Sequence, residues 1–164
     1  MTDRSERWRD WLERLGPALV LFARQWAESH ADAEDVVQDA FVRFWRHGRH
    51  RARDPRAYLF ASVRRSALDR RRGDRRRRRR EAAAARPEPM FDAAAGRAER
   101  REAVEAALCR LPTEQREVVV MKIWGGLTFR QIGAVLDVSP NTAASRYRYA
   151  LAALRGALDS EEMT

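Results

Sequence analysis

The chain has 164 residues, room for one ordinary domain or two small ones, and a formal net charge of +9. Cys109 is its only cysteine, so no disulfide can form within it and no cysteine cluster can hold a metal, and His30, His47 and His50 stand without metal-ligand context; no cofactor and no metal are expected. The N-terminus has no apolar signal core and no run approaches a membrane span, so a cytoplasmic location is expected, with no membrane among its partners.

The first seventy residues read as helices. Trp8, Trp11, Leu12, Leu15, Leu19, Phe22 and Trp26 recur at helical spacing, and Gly16-Pro17 is expected to kink or divide this segment. Asp32-Ala33-Glu34-Asp35 is an acidic start suited to a helix N-terminus, followed by an apolar stripe of Val37, Phe41, Phe44 and Trp45. Residues 47–54 read as a polar loop rich in Arg and His. Asp54-Pro55 then opens a third helix with Tyr58, Leu59, Val63 and Leu68 inward. No run alternates at strand period, so the fold class is all-α.

From Arg70 the pattern fails. Arg70-Arg71-Arg72-Gly73-Asp74 leads into Arg75 to Arg80, then alanine runs broken by Pro87 and Pro89, which is the composition of a flexible basic linker. Residues 70–101 carry 13 Arg and 5 acids, whereas residues 1–69 carry 13 Arg and 11 acids, so the excess charge sits in the middle and suggests a polyanion there. Lys122 is the single lysine beside 32 arginines; a GC-rich genome explains that ratio, so arginine abundance alone says little about phosphate binding. The expected organisation is a helical domain over 1–72, a linker over 73–97 and a second helical domain over 98–164.

Helical pattern resumes near Ala98 and runs to Leu111, Pro112-Thr113-Glu114 starts a further helix, and Gly125-Gly126 stops it. Leu127 to Thr142 then reads as a helix-turn-helix. Thr128 caps a short helix, Asp137 and Val138 turn, and Ser139 caps a second helix with Pro140 at its first position. A helix so placed suits a DNA major groove. Ile132, Leu136, Val138, Ala143, Tyr147 and Leu151 can close a small core between the two helices, leaving Asn141, Thr142, Ser145, Arg146 and Arg148 outward. A helical hairpin that binds nothing would share the spacing but has no need of cap, turn and second cap in this order.

Four segments resemble the extracytoplasmic-function sigma factors, the small members of the sigma-70 family. Residues 32–45 resemble their polymerase-binding helix. Arg56-Ala57-Tyr58-Leu59-Phe60 with Arg64, Ala67, Leu68 and Asp69 resembles the next helix. Leu111 to Val118 resembles the start of their second DNA-binding domain, and Leu127 to Leu154 its helix-turn-helix. The resemblance implies a promoter-specificity subunit of bacterial RNA polymerase without catalysis of its own. Its partners would be the polymerase core, through the clamp coiled coil of the largest subunit, and promoter DNA, with room for an anti-sigma factor. By motif position, Asp35, Gln38 and Asp39 would face the polymerase. The −10 element would be captured as single strand by Arg49, Arg51, Arg53, Arg56 and Arg64, and the −35 duplex read by Asn141, Thr142, Ser145, Arg146 and Arg148. Tyr58 and Phe60 are rings near the first site, but their spacing matches the apolar face.

The chain departs from the family pattern at several positions. Val63-Arg64-Arg65 stands where Ala-Arg-Asn is common, Gly133 where Ala is usual, Asp137 where the turn glycine is usual, and Ala144 where a basic residue is usual. Arg148 is therefore expected to take over part of the base reading, with Asn141 and Arg146 mainly on phosphates. The alternative is a helix-turn-helix regulator that does not join the polymerase; residues 32–45 discriminate, because such a regulator has no use for them. An enzyme is not expected, since no paired catalytic constellation or phosphate loop is visible.

Overall fold

In a computed structural model of the chain, the described residues are 2–78 and 98–163. They form seven α-helices with one π-helical turn, and no strand occurs among them. The chain divides into two compact units, Met1–Pro87 and Glu88–Thr164.

The first unit holds α1 (Thr2–Ala23), α2 (His30–Arg43), a π-helical turn (Phe44–Gly48) and α3 (Pro55–Arg78). Of the kink or division expected at Gly16-Pro17, the division does not occur: α1 runs through Pro17 as one helix. A proline inside a helix costs about 3 kcal/mol. Ala18, Leu19, Leu21 and Phe22 follow it directly and are all buried. Each large apolar side chain among them contributes roughly 1.5–3 kcal/mol on burial, enough to hold the helix together.

α2 starts earlier than the acidic run suggests. Ser29 is the cap, its hydroxyl accepting from the Asp32 amide at 3.1 Å, with Asp32 in the first turn beside the positive helix end. Its inner face is Ala33, Val36, Val37 and Ala40, small enough for close helix approach. The helix passes into the π-turn, so the polar loop begins at Arg49 rather than at residue 47. Gly48 is buried there, and a Cβ on it would lie 2.8 Å from the Tyr58 ring.

α3 opens as expected, with Asp54 Oδ1 accepting from the Ala57 amide at 3.2 Å. Leu59, Phe60 and Val63 are fully buried, and Phe60 meets Phe22 edge-on with centroids 5.1 Å apart. The helix continues to Arg78, past the expected end at Arg72. Arginine is a good helix former and a single glycine costs only about 1 kcal/mol, so neither the arginine run nor Gly73 ends it. The rest of the expected linker, residues 79–97 and so including Arg79 and Arg80, lies outside the described residues.

The second unit holds α4 (Ala98–Arg110), α5 (Thr113–Ile123), α6 (Phe129–Leu136) and α7 (Pro140–Glu162). Gly126, at φ 63°, turns the chain after α5, and the Leu127 amide closes that end on the Met121 carbonyl at 3.1 Å. Thr128 and Gln131 form a complete capping box at α6. Asp137 ends α6 in the left-handed region, φ 56° and ψ 47°. Ser139 Oγ accepts from the Thr142 amide at 3.1 Å and caps α7.

The core of this unit extends beyond the two-helix core the pattern suggests. Ile132 and Ala143 are fully buried, but Leu136, Val138 and Leu151 are only half-buried. Tyr147 and Leu154 also pack against Leu108, Leu111, Val119 and Ala150. A helix as short as α6 has too little apolar surface to cover one face of α7, so α4 and α5 complete it.

Candidate interfaces for protein and DNA

Three surfaces carry the expected site residues. On α2, Asp35, Gln38 and Asp39 are all exposed, on the face opposite Ala33, Val36, Val37 and Ala40. The i, i+3, i+4 spacing brings them onto one patch. Asp39 is not idle: the Arg70 guanidinium of α3 donates to its Oδ2 at 2.7 Å, with both side chains about half exposed. That pair crosses elements and was not legible in the sequence.

Arg49, Arg51 and Arg53 are exposed and sit together in the turn between Gly48 and α3. Arg56 and Arg64 are half-buried on α3, eight positions or about 12 Å of helix rise apart, so they form a track rather than a cluster. Phe60 is fully buried and Tyr58 packs on Phe44 with centroids 5.6 Å apart, so both are core rings. Trp45, expected within the apolar stripe, is 46% exposed, with the Arg49 guanidinium 4.8 Å over its ring. Phe44 takes the inward position, and its neighbour lies about 100° further round the helix and faces out.

On α7, Asn141, Thr142 and Arg148 are exposed and Ser145 is half-buried. Arg148 Nη2 donates to Ser145 Oγ at 3.2 Å. These four lie within about 120° of arc on an ideal helix. Arg146 stands at their flank, half-buried, with Nη2 3.6 Å from Glu114 Oε2 of α5. Tyr149 shares the outward sector and is 69% exposed; a tyrosine at this spacing is not distinguished in the sequence from the core tyrosine two positions earlier.

The helix-turn-helix is tight. A Cβ on Gly133 would lie 2.6 Å from the Val138 carbonyl oxygen, so the alanine usual in the family would force the turn of this chain to shift. Among the described residues, no group of His, Cys, Asp and Glu is placed to hold a metal ion, and no helix is long and apolar enough to cross a membrane.

Residues 11–78 match sigma-70 region 2 and residues 101–154 match sigma-70 region 4. The chain is 33% identical over 130 residues to the ECF RNA polymerase sigma factor SigL of Mycobacterium tuberculosis, covering 76% of this chain and 73% of that protein. It is 31% identical over 137 residues to SigK of Mycobacterium ulcerans, covering 78% and 73%. Among solved structures, the sigma factor RpoE from Bartonella quintana, in complex with the anti-sigma factor NepR, superposes with a TM-score of 0.76 at 22% identity, covering 94% of this chain and 98% of that one. CnrH, in complex with the cytosolic domain of CnrY, superposes with a TM-score of 0.64 at 28% identity, covering 95% and 90%. With both sigma-70 regions present in order on an all-helical chain, the protein belongs to the extracytoplasmic-function sigma factors of the sigma-70 family, the RNA polymerase sigma factors.

Proposed function

We propose that the protein directs promoter-specific initiation through three residue sets: Asp35, Gln38 and Asp39 on the clamp coiled coil of the polymerase, Arg49, Arg51, Arg53, Arg56 and Arg64 on the −10 strand, and Asn141, Thr142, Ser145, Arg146 and Arg148 on the −35 duplex. The observation that carries this reading is the presence of both matched regions in one chain, residues 11–78 and 101–154. A regulator that does not join the polymerase would need only the second, and is not favoured.

The α2 patch fits a basic partner. Docking would exchange the Arg70 contact of Asp39 for one on the polymerase, and an exposed ion pair is worth only about 0.2–1 kcal/mol, so the exchange is cheap. The arginines of the 49–54 turn suit a single strand, where positive charge tracks the backbone. On α7, Arg148 would reach base edges and Arg146 would fix the helix on phosphates; the exposure of Arg148 and the flanking position of Arg146 beside Glu114 support this division. The protein acts in the cytoplasm, by binding alone and without catalysis. An anti-sigma factor belongs among its partners, by likeness to the sigma factor RpoE in its complex with NepR.

The test joins two measurements. Core polymerase with and without the protein is run on genomic fragments and the 5′ ends of transcripts are mapped; new, shared upstream elements are expected. Changing Asp35, Gln38 and Asp39 together to Ala should weaken core binding by about 2–5 kcal/mol, the usual cost of truncating desolvated charged contacts. Undiminished core binding by the triple variant with unchanged helical content refutes the α2 assignment.

A further inference from the structure

We propose that Tyr149 is a specificity residue of the upstream duplex site, its ring packing on the 5-methyl group of a thymine in the major groove. The inference rests on the reading of α7 as the helix that enters the groove. Tyr149 is 69% exposed, well beyond the exposed rings Trp45 at 46% and Trp124 at 38%. It makes no hydrogen bond or ring contact among the described residues. Tyr147, two positions earlier, is its counterexample: half-buried, packed on the core of the unit and 5.5 Å from the Phe129 ring. The fold therefore has a use for one of the two tyrosines and leaves the other to solvent.

Position supplies the ligand. Thr142, Ser145 and Tyr149 stand at i, i+3 and i+7, one line along the outward side of α7. A surface that follows this line of α7 past Thr142 and Ser145 meets the ring one turn further on. Arg148 turns its guanidinium to Ser145, which leaves the Tyr149 ring uncovered. The major-groove edge of duplex DNA carries donors, acceptors and one apolar group, the thymine methyl, and an apolar ring face matches only the last. Tyr149 lies about 12 Å along the helix axis from Asn141, so the thymine it reads is at the far end of the footprint from the bases near the α7 N-terminus.

The experiment uses the full chain assembled with core polymerase. Wild type, Tyr149→Ala, Tyr149→Phe and Arg148→Ala each select from a randomised upstream element, and each is then titrated with the selected element carrying deoxyuridine in place of one thymine at a time. Deoxyuridine removes the methyl and keeps the pairing. For wild type and Tyr149→Phe, affinity should fall about four-fold at one thymine, the loss expected for one buried methyl-sized group. For Tyr149→Ala that sensitivity should vanish, and the selected motif should lose its preference at the same position. The proposal is overturned if Tyr149→Ala keeps both the motif and the deoxyuridine response. Equal weakening by Tyr149→Phe and Tyr149→Ala also overturns it, since the hydroxyl would then be the contact. If wild type and Arg148→Ala both select no upstream element, the underlying reading of α7 falls as well, a distinct outcome.

Discussion

Gly133→Ala sets local propensity against tertiary packing, with opposite signs. Within α6, replacing an interior glycine by alanine should stabilise the helix by about 1 kcal/mol, and alanine is the residue the family usually carries there. The turn of this chain opposes it. The new Cβ would lie 2.6 Å from the Val138 carbonyl oxygen and 3.4 Å from Pro140 N and the Ser139 carbonyl carbon, where ordinary contacts begin at 3.4 Å. The closest atom is backbone. It cannot swing away as a flexible side chain would, and Val138 is already held by its amide on the Gly133 carbonyl at 3.0 Å. Overpacking of this kind costs about 1–3 kcal/mol. The larger part of that range exceeds the propensity gain, so a net loss of about 1 kcal/mol is expected. For a unit of this size that is a fall of about 4–8 °C in Tm. Trp124 is the only tryptophan in residues 88–164, so the emission change between Trp→Phe backgrounds at positions 8, 11, 26 and 45 isolates this unit during heating. A rise in Tm for Gly133→Ala would refute the steric argument and show that the turn yields without cost.

Two further outcomes are expected. Thr128→Ala removes the side-chain half of the α6 capping box and should destabilise the second unit by about 1 kcal/mol, read in the same melt; an unchanged Tm would mean that water satisfies the Gln131 amide equally well. Replacing Arg75 to Arg80 by a Gly/Ser mixture should weaken binding of the holoenzyme to nucleic acid evenly across sequences and flatten the salt dependence by about 0.7–0.9 per lost phosphate contact. An unchanged slope would show the run to be a spacer, and an altered sequence preference would show it reading bases.

The starts of α3, α6 and α7 and the turn at Asp137 were legible in the sequence because they are decided within a few residues. Asp54, Thr128 and Ser139 accept from amides three positions on, and Asp137 takes the left-handed conformation that aspartate tolerates. The order of segments, and with it the family, followed from the same local patterns. What the sequence left undecided was settled through space. Pro17 reads locally as a break, and α1 nevertheless continues because the residues after it are buried in the core of their unit. Trp45 and Tyr149 have the composition of core residues, yet both face out because Phe44 and Ala150 take the inward positions beside them. Asp39 finds Arg70 and Arg146 finds Glu114 across helices that periodicity cannot pair. Gly133 reads only as a small residue in the sequence, and the Val138 carbonyl, 2.6 Å from where a Cβ would lie, shows what the missing side chain makes room for. A capping hydrogen bond is closed by neighbours in the chain, whereas burial, ion pairing and steric exclusion depend on which surfaces meet, and only the folded chain brings those surfaces together.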